Sequence, residues 1–407
     1  MRKTKLLEIA VIILVAGCGN ETDPVGIQTG TLPSWEEFRA SAIYDTEAKL
    51  FIVDGDIALP DEQTLRDYYE LFKVEQATTN VRREALTVFN IDGQDVRWTT
   101  NGQTDITYCL EDLSDNVRQI VGQAMLDASR DWEAVADVEF VRIFSSPCRP
   151  NLSTLRPFFA VRLLPLAGQT LATAPFPLGG QPNDFYFLNI NPDVINGTPP
   201  FSLRGILRHE LGHVLGFRHE HIRVQANRNR AGCNESDTST PSELFSGFDR
   251  TLTQYDSNSV MHFPQCGGTN GGDLRITALD AAGASALYGP PRPDRLSRSL
   301  LRDLYQTTLR RAPDQGGFDF WLPQINTSFV ACNEVIRSFV DSPEYRNAPL
   351  NNEGFIDALY VIILNREPDV LGRNFWLGAL NNGVNQLALL DDFLAAEQNT
   401  SRCAEIH

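Results

Sequence analysis

The chain has 407 residues, 42% of them apolar, with 35 Lys and Arg against 52 Asp and Glu. That length calls for two or three domains, each with a core of its own. A formal charge of −17 excludes a protein that holds nucleic acid or an anionic lipid surface by non-specific attraction. A solubilising surface is the plain reading of the acidity.

At the N-terminus, Arg2, Lys3 and Lys5 precede an apolar stretch over 9–16. The stretch is too short to span a bilayer and reads as the apolar part of a signal. It ends in Val15-Ala16-Gly17-Cys18, which resembles the lipobox of bacterial lipoproteins. The resemblance implies removal of residues 1–17 and a lipid on Cys18, with Gly19 suiting an outer-membrane or surface location. An ordinary secretory signal with a chance Cys is the alternative. With Cys18 lipidated, six Cys remain, an even set suited to an oxidising compartment. In chain order they are Cys109, Cys148, Cys233, Cys266, Cys332 and Cys403. Pairing neighbours would put two bridges in the middle of the chain and one near its end, among many possible connectivities.

Residues 18–94 read as a tether followed by a pro-region-like segment. The tether is polar and rich in Gly, Thr and Pro to about Pro33, and a helical pattern follows over 62–71. Asp54-Gly55 reads as a turn between two short strands. A new unit is expected over 95–289. Ile106-Thr107-Tyr108-Cys109-Leu110 alternates as a strand does. Ser114 looks like the cap of a helix whose apolar stripe runs from Val117 to Trp132. Strands are expected at 138–141, 159–163 and 185–188, a helix at 203–215, loops over 227–272 and a closing helix at 278–288. A Pro-rich linker at 290–297 ends the unit.

Beyond the linker, over 298–407, the chain repeats itself. Leu304-Tyr305 returns as Leu359-Tyr360, Arg311-Ala312-Pro313-Asp314 as Arg366-Glu367-Pro368-Asp369, and Phe320-Trp321 as Phe375-Trp376, always 55 residues on. Matches at one offset imply two copies of one helical unit packed on each other. The pattern resembles a repeat of unknown function found in bacterial surface and secreted proteins, and it names no ligand.

The chemistry lies in His209-Glu210-Leu211-Gly212-His213-Val214-Leu215-Gly216-Phe217-Arg218-His219. On a helix, His209 and His213 stand one turn apart on one face, so both imidazoles reach one metal. Glu210 is displaced around the helix and flanks that metal. Gly216 can take positive φ, ending the helix and bringing His219 back as a third ligand. Three neutral nitrogens with an open fourth position describe a catalytic rather than a structural zinc. Only six His occur in the chain, and three hold these positions.

With this motif the sequence resembles a metzincin and, within that clan, is most similar to the astacins. Phe217-Arg218-His219-Glu220-His221 matches the astacin continuation, and Tyr255-Asp256-Ser257-Asn258-Ser259-Val260-Met261-His262 is similar to the Met-turn. Leu171-Ala172-Thr173-Ala174-Pro175 resembles the edge strand that pairs with substrate, and Thr277-Ala278-Leu279-Asp280 the closing helix. The resemblance implies Met261 as an apolar floor under the zinc. It also implies an α+β metzincin-like catalytic domain: twisted mixed sheet, active-site helix, loop-rich C-terminal subdomain. An all-α repeat domain would follow. One position departs: the Tyr that follows the Met-turn in astacins is Phe263 here, with no hydroxyl. Upstream, Phe51-Ile52-Val53-Asp54-Gly55-Asp56-Ile57 resembles the astacin pro-region motif, which implies Asp56 as a cap on the zinc. The plain turn stands beside that reading.

The expected activity is therefore zinc-dependent endopeptidase action on proteins or peptides outside the cytoplasm, with Glu210 as general base. The partners expected are a peptide substrate and a membrane reached through Cys18, with no nucleic acid. The rival is a surface adhesion lipoprotein whose zinc domain is weak or inactive. A third reading, hydrolysis of a small amide, fits the edge strand less well.

Overall fold

The computed structural model describes residues 34–46, 49–53, 56–73, 86–91, 94–98, 106–111, 113–143, 148, 157–166, 170–177, 186–196, 201–222, 249–270 and 273–407. The signal-like stretch, Cys18 and Cys233 lie outside them. Among the described residues, no helix is long and apolar enough to cross a membrane.

The first described segment folds on itself. Helix α1 (Trp35–Ser41) opens on a capping box in which the Ser34 side chain and Glu37 satisfy each other's backbone N–H. Strands β1 (Ile43–Asp45), β2 (Leu50–Val53) and β3 (Ile57–Leu59) form an antiparallel sheet, and α2 (Glu62–Lys73) follows. Residues 54–55, read as a turn, lie outside the described residues. Phe38, Val53, Ile57, Leu65 and Tyr68 make a small core here, joined from far along the chain by Phe176.

The central unit begins earlier than residue 95. Strand β4 (Thr87–Ile91) pairs with β5 (Gln94–Asp95), and Leu86 and Val88 enter the main core. Next come β6 (Ile106–Leu110), α3 (Asp115–Glu133), β7 (Phe140–Arg142), β8 (Phe159–Leu163), β9 (Ala172–Thr173) and β10 (Tyr186–Ile190). Strands β6 to β10 form one sheet in the order β7-β6-β8-β10-β9, parallel except for β9. Its strands are largely buried, with every residue of β6 and β7 out of solvent.

Helix α4 (Leu203–Val214) packs against α3, whose stripe buries Val121, Met125, Ala128 and Trp132. The Trp132 indole donates to the Arg208 carbonyl at 2.8 Å, fixing the two helices along their length. Strands β11 (Phe217–Arg218) and β12 (Asp249–Thr251) flank β4 antiparallel, and α5 (Ala278–Tyr288) closes the unit. Cys109 is bonded to Cys148, and Cys266 is also disulfide-bonded.

The rest is helical: α6 (Arg295–Asp303), α7 (Gln315–Ile325), α8 (Phe329–Val340), α9 (Pro343–Asn347), α10 (Asn352–Leu364), α11 (Val370–Asn381), α12 (Gln386–Ala396) and α13 (Arg402–Ile406). Helix α6 begins inside the expected linker. The architecture is an α+β unit followed by an all-α repeat pair, stapled by Cys332–Cys403. Equivalent parts keep equivalent roles: Asp314 caps α7 and Asp369 caps α11, each through the Gly three residues on.

The two copies differ at one telling position. Where the first has Ala312 the second has Glu367, which is buried against the central unit and paired with the buried Arg142 of β7. A Cβ at Gly122 would come within 2.5 Å of the Glu367 carboxyl, so α3 is kept bare to admit it. The Gln123 side chain accepts from the Glu367 N–H at 3.2 Å, and Arg302 pairs with Glu139 nearby. Removing one partner of such a pair leaves an uncompensated buried charge. Glu367→Ala should therefore lower unfolding free energy by about 3–5 kcal/mol in denaturant titration, whereas Glu344→Ala, in an exposed pair with Arg311, should cost about 1 kcal/mol or less. Equal losses would rule out the latch.

Candidate metal centre and catalytic site

The Ser202 hydroxyl caps α4, accepting the Gly205 N–H at 3.0 Å and donating to Asp273 at 2.8 Å. Every residue of the His-bearing turn is buried. The helix stops at Gly216, whose φ is 90° and whose position admits no Cβ because the Val96 carbonyl lies there. Its last carbonyls are not left bare: the Trp98 indole donates to Val214 at 2.8 Å and the Tyr288 hydroxyl to Leu215 at 2.6 Å. The chain then turns into β11, and pairing of Phe217 with Val88 brings His219 back beneath the helix.

Three ring nitrogens converge as a result. The His219 Nε2 lies 3.2 Å from that of His209 and 3.1 Å from that of His213. Asp56, at the start of β3, completes the group, with Oδ2 3.2 Å from both His209 and His219 Nε2 and Oδ1 3.2 Å from His213 Nε2. Sequence reading pointed to all four residues, and the fold gathers them in one buried cluster.

The group fits a zinc ion. The His209 Nδ1–H donates to the Val260 carbonyl at 2.7 Å and the His213 Nδ1–H to the Phe217 carbonyl at 2.8 Å. With Nδ1 protonated, each Nε2 presents a lone pair inward. Burial pushes His219 down to about 4, so that ring is neutral near pH 7. Lone pairs and a carboxylate this close repel one another until a cation lies among them. Separations near 3.2 Å suit the edge of a tetrahedron with bonds of about 2.0–2.1 Å.

Glu210 is 3% exposed, and its Oε2 has no hydrogen-bond partner among the described residues. Burial first, and the Asp56 charge second, hold its carboxyl well above the usual range.

Below the nitrogens runs the turn Ser259-Val260-Met261. Met261 is fully buried, and a Cβ at Gly212 would collide with its sulfur, so the sulfur packs directly against α4. Asp280, the third residue of α5, holds this turn. It accepts the Ser259 hydroxyl at 2.5 Å, the Val260 N–H at 2.9 Å and the Thr277 N–H at 2.9 Å. Val260 is thus gripped at its N–H by Asp280, while its carbonyl orients His209. Sequence reading saw in Thr277 and Asp280 only the start of a helix, since a capping box has the same spacing. The Phe263 ring centroid lies 4.2 Å from that of His219, and His221 stacks on the same ring at 4.5 Å. The residue without a hydroxyl therefore stands beside the ligands.

Because Asp280 acts on His209 through Val260, Asp280→Ala should weaken zinc binding about 10–100-fold in competition with a chromogenic chelator. Leu287→Ala, a core truncation in the same helix, should lower thermal stability with zinc affinity unchanged. Equal zinc affinity in both variants would refute the grip.

Residues 201–280 match the family model described as Astacin, a peptidase family. Residues 297–349 and 338–403 match a domain of unknown function, DUF4214. No curated protein matches the chain. Among solved structures, myroilysin is 20% identical with a TM-score of 0.34, covering 51% of this chain and 98% of that one. High choriolytic enzyme 1, a hatching enzyme zinc-protease from Oryzias latipes (medaka), is 19% identical with a TM-score of 0.30, covering 47% and 92%. Over residues 201–280 the chain is therefore similar to the astacin peptidases, and that stretch holds His209, His213 and His219, which the fold gathers with Asp56 in one cluster.

Proposed function

We propose that the protein is an exported zinc endopeptidase made in a latent form, in which residues 34–73 cover the cleft and Asp56 occupies the metal site. The observation that carries this reading is the convergence of the His209, His213 and His219 nitrogens beside the buried, unpartnered Glu210 oxygen. His209, His213 and His219 would hold Zn2+, which supplies a Lewis acid that polarises the peptide carbonyl and acidifies water. Glu210 takes the proton from the attacking water and passes it to the leaving amine. Met261 gives the site an apolar floor. The Phe263 ring offers no donor to the developing oxyanion, unlike a Tyr there.

The substrate backbone would lie along β9 and the residue after it. Here that edge is taken: the Ala174 N–H donates to the Asp56 carbonyl at 3.0 Å, and the Ala58 N–H to the Ala174 carbonyl at 3.2 Å. An extended peptide pairs with an open strand in the same manner. With Asp56 among the ring nitrogens, neither the attacking water nor a peptide carbonyl has room.

Two substitutions test this together. Asp56→Ala in the full chain should give zinc-dependent cleavage of casein where the parent gives little or none. Adding Glu210→Ala should retain one zinc per chain while lowering kcat by about 10²–10⁴-fold. Undiminished turnover in the double variant would eliminate Glu210 as the base.

A second reading is favoured by Phe263 and by the exposed pair Phe320 and Phe375, which are 61% and 69% exposed at equivalent positions of the repeats. It is a surface-binding lipoprotein with an inert zinc site. Stoichiometric zinc without cleavage of any peptide by the Asp56→Ala chain would select it. The Cys18 motif supports anchoring to the outer membrane or cell surface, with secretion as the alternative. Labelled palmitate should enter the wild type and not Cys18→Ser, and equal labelling would exclude Cys18 as the anchor.

A further inference from the structure

Phe176 belongs to the peptidase unit by sequence, two residues beyond the Ala174 edge, yet it is buried in another core. It is 2% exposed, and the other buried members of its cluster among the described residues come from 38–69, with Val96 alongside. Its ring centroid lies 6.0 Å from that of His213, so the surface it covers adjoins the metal ligands. Ile57 pairs with Ala174 in parallel register and is itself 1% exposed. Side chains two residues apart on an extended strand share a face. Hence Ile57, opposite Ala174, and Phe176, two residues on, meet on one side of the cleft.

Departure of residues 34–73 would uncover the part of Phe176 that now packs on them, beside the site. We infer that Phe176 is a specificity-determining residue that selects peptides with a bulky apolar side chain within two residues of the scissile bond. The inference rests on the endopeptidase reading above. Its geometry follows from Asp56 and Ile57: the scissile carbonyl takes the place of the Asp56 carboxylate, and the apolar residue takes the place of neighbouring Ile57. A charged side chain there would be desolvated against Phe176 with no partner, whereas Leu, Ile or Phe removes the ring from water.

The test uses the zinc-loaded full chain carrying Asp56→Ala and two peptide sets, with Leu or Phe against Gly at positions flanking the cleaved bond. The quantity read is the ratio of kcat/KM between the sets. Residues 34–73 compete with every peptide alike, so the ratio does not depend on how firmly they are held. The parent should prefer the apolar set by about 10–100-fold. Phe176→Ala should bring the ratio close to one, and Phe176→Leu, which keeps an apolar surface, should retain most of the preference. A parent ratio near one overturns the inference, as does an unchanged ratio in Phe176→Ala. Absence of any cleavage by the zinc-loaded parent removes the endopeptidase reading and this inference with it.

Discussion

Three imidazole nitrogens and a carboxylate held about 3.2 Å apart form an arrangement that repels itself without a cation, and most of the central unit can be understood as what resists that repulsion. Helix α4 supplies two of the rings at a spacing set by its own hydrogen bonds. Gly216 ends the helix, and the pairing of β11 with β4 places the third. The carbonyls of Val260 and Phe217 fix which nitrogen of His209 and His213 faces inward. Asp280 then holds Val260 itself. A site built this way is preorganised: its strain is met by backbone groups whose own positions come from secondary structure, so little rearrangement accompanies metal binding.

The parts legible in the sequence are those whose information is local. His209, Glu210 and His213 lie within one helical turn, and the stop at Gly216 follows from a single residue type. The duplicated helical unit is legible because identical residues recur at one offset. Strands of the sheet were visible as short local patterns, from the alternation of Ile106-Thr107-Tyr108 to the apolar Phe159-Ala160-Val161. Asp56 was visible both as part of a turn and as a metal cap. The fold places Asp56 among the three His side chains.

What was not legible depends on partners far along the chain. The sheet joining β4, β11 and β12 pairs Val88 with Phe217 and Arg250, and strands of two or three residues are too short to show an alternation. This is why the central unit seemed to start at 95, when Leu86 is already core. Asp280 was hidden because gripping a distant turn and capping a helix need the same residue at the same place. Glu367 looked like ordinary drift within a repeat, and its role emerges only against Arg142 and the bare flank of Gly122. Phe176 carried no signal, since nothing local says that an aromatic residue belongs to another segment's core.

The hold of residues 34–73 on the cleft edge is slight when taken bond by bond. Strand β3 meets Ala174 through a single bridge with two backbone hydrogen bonds, each worth on the order of 1 kcal/mol net. As a separate molecule, a strand held by those two bonds alone would be mostly dissociated at micromolar concentration. Its persistence here is a matter of connectivity, because a covalently joined segment samples its target at an effective concentration on the order of millimolar. On the latent-enzyme proposal, chain continuity would be the chief means of keeping the cleft covered. Cutting the chain between the segment and the peptidase unit would turn a standing intramolecular equilibrium into dilution, which favours release without any change in the contacts themselves.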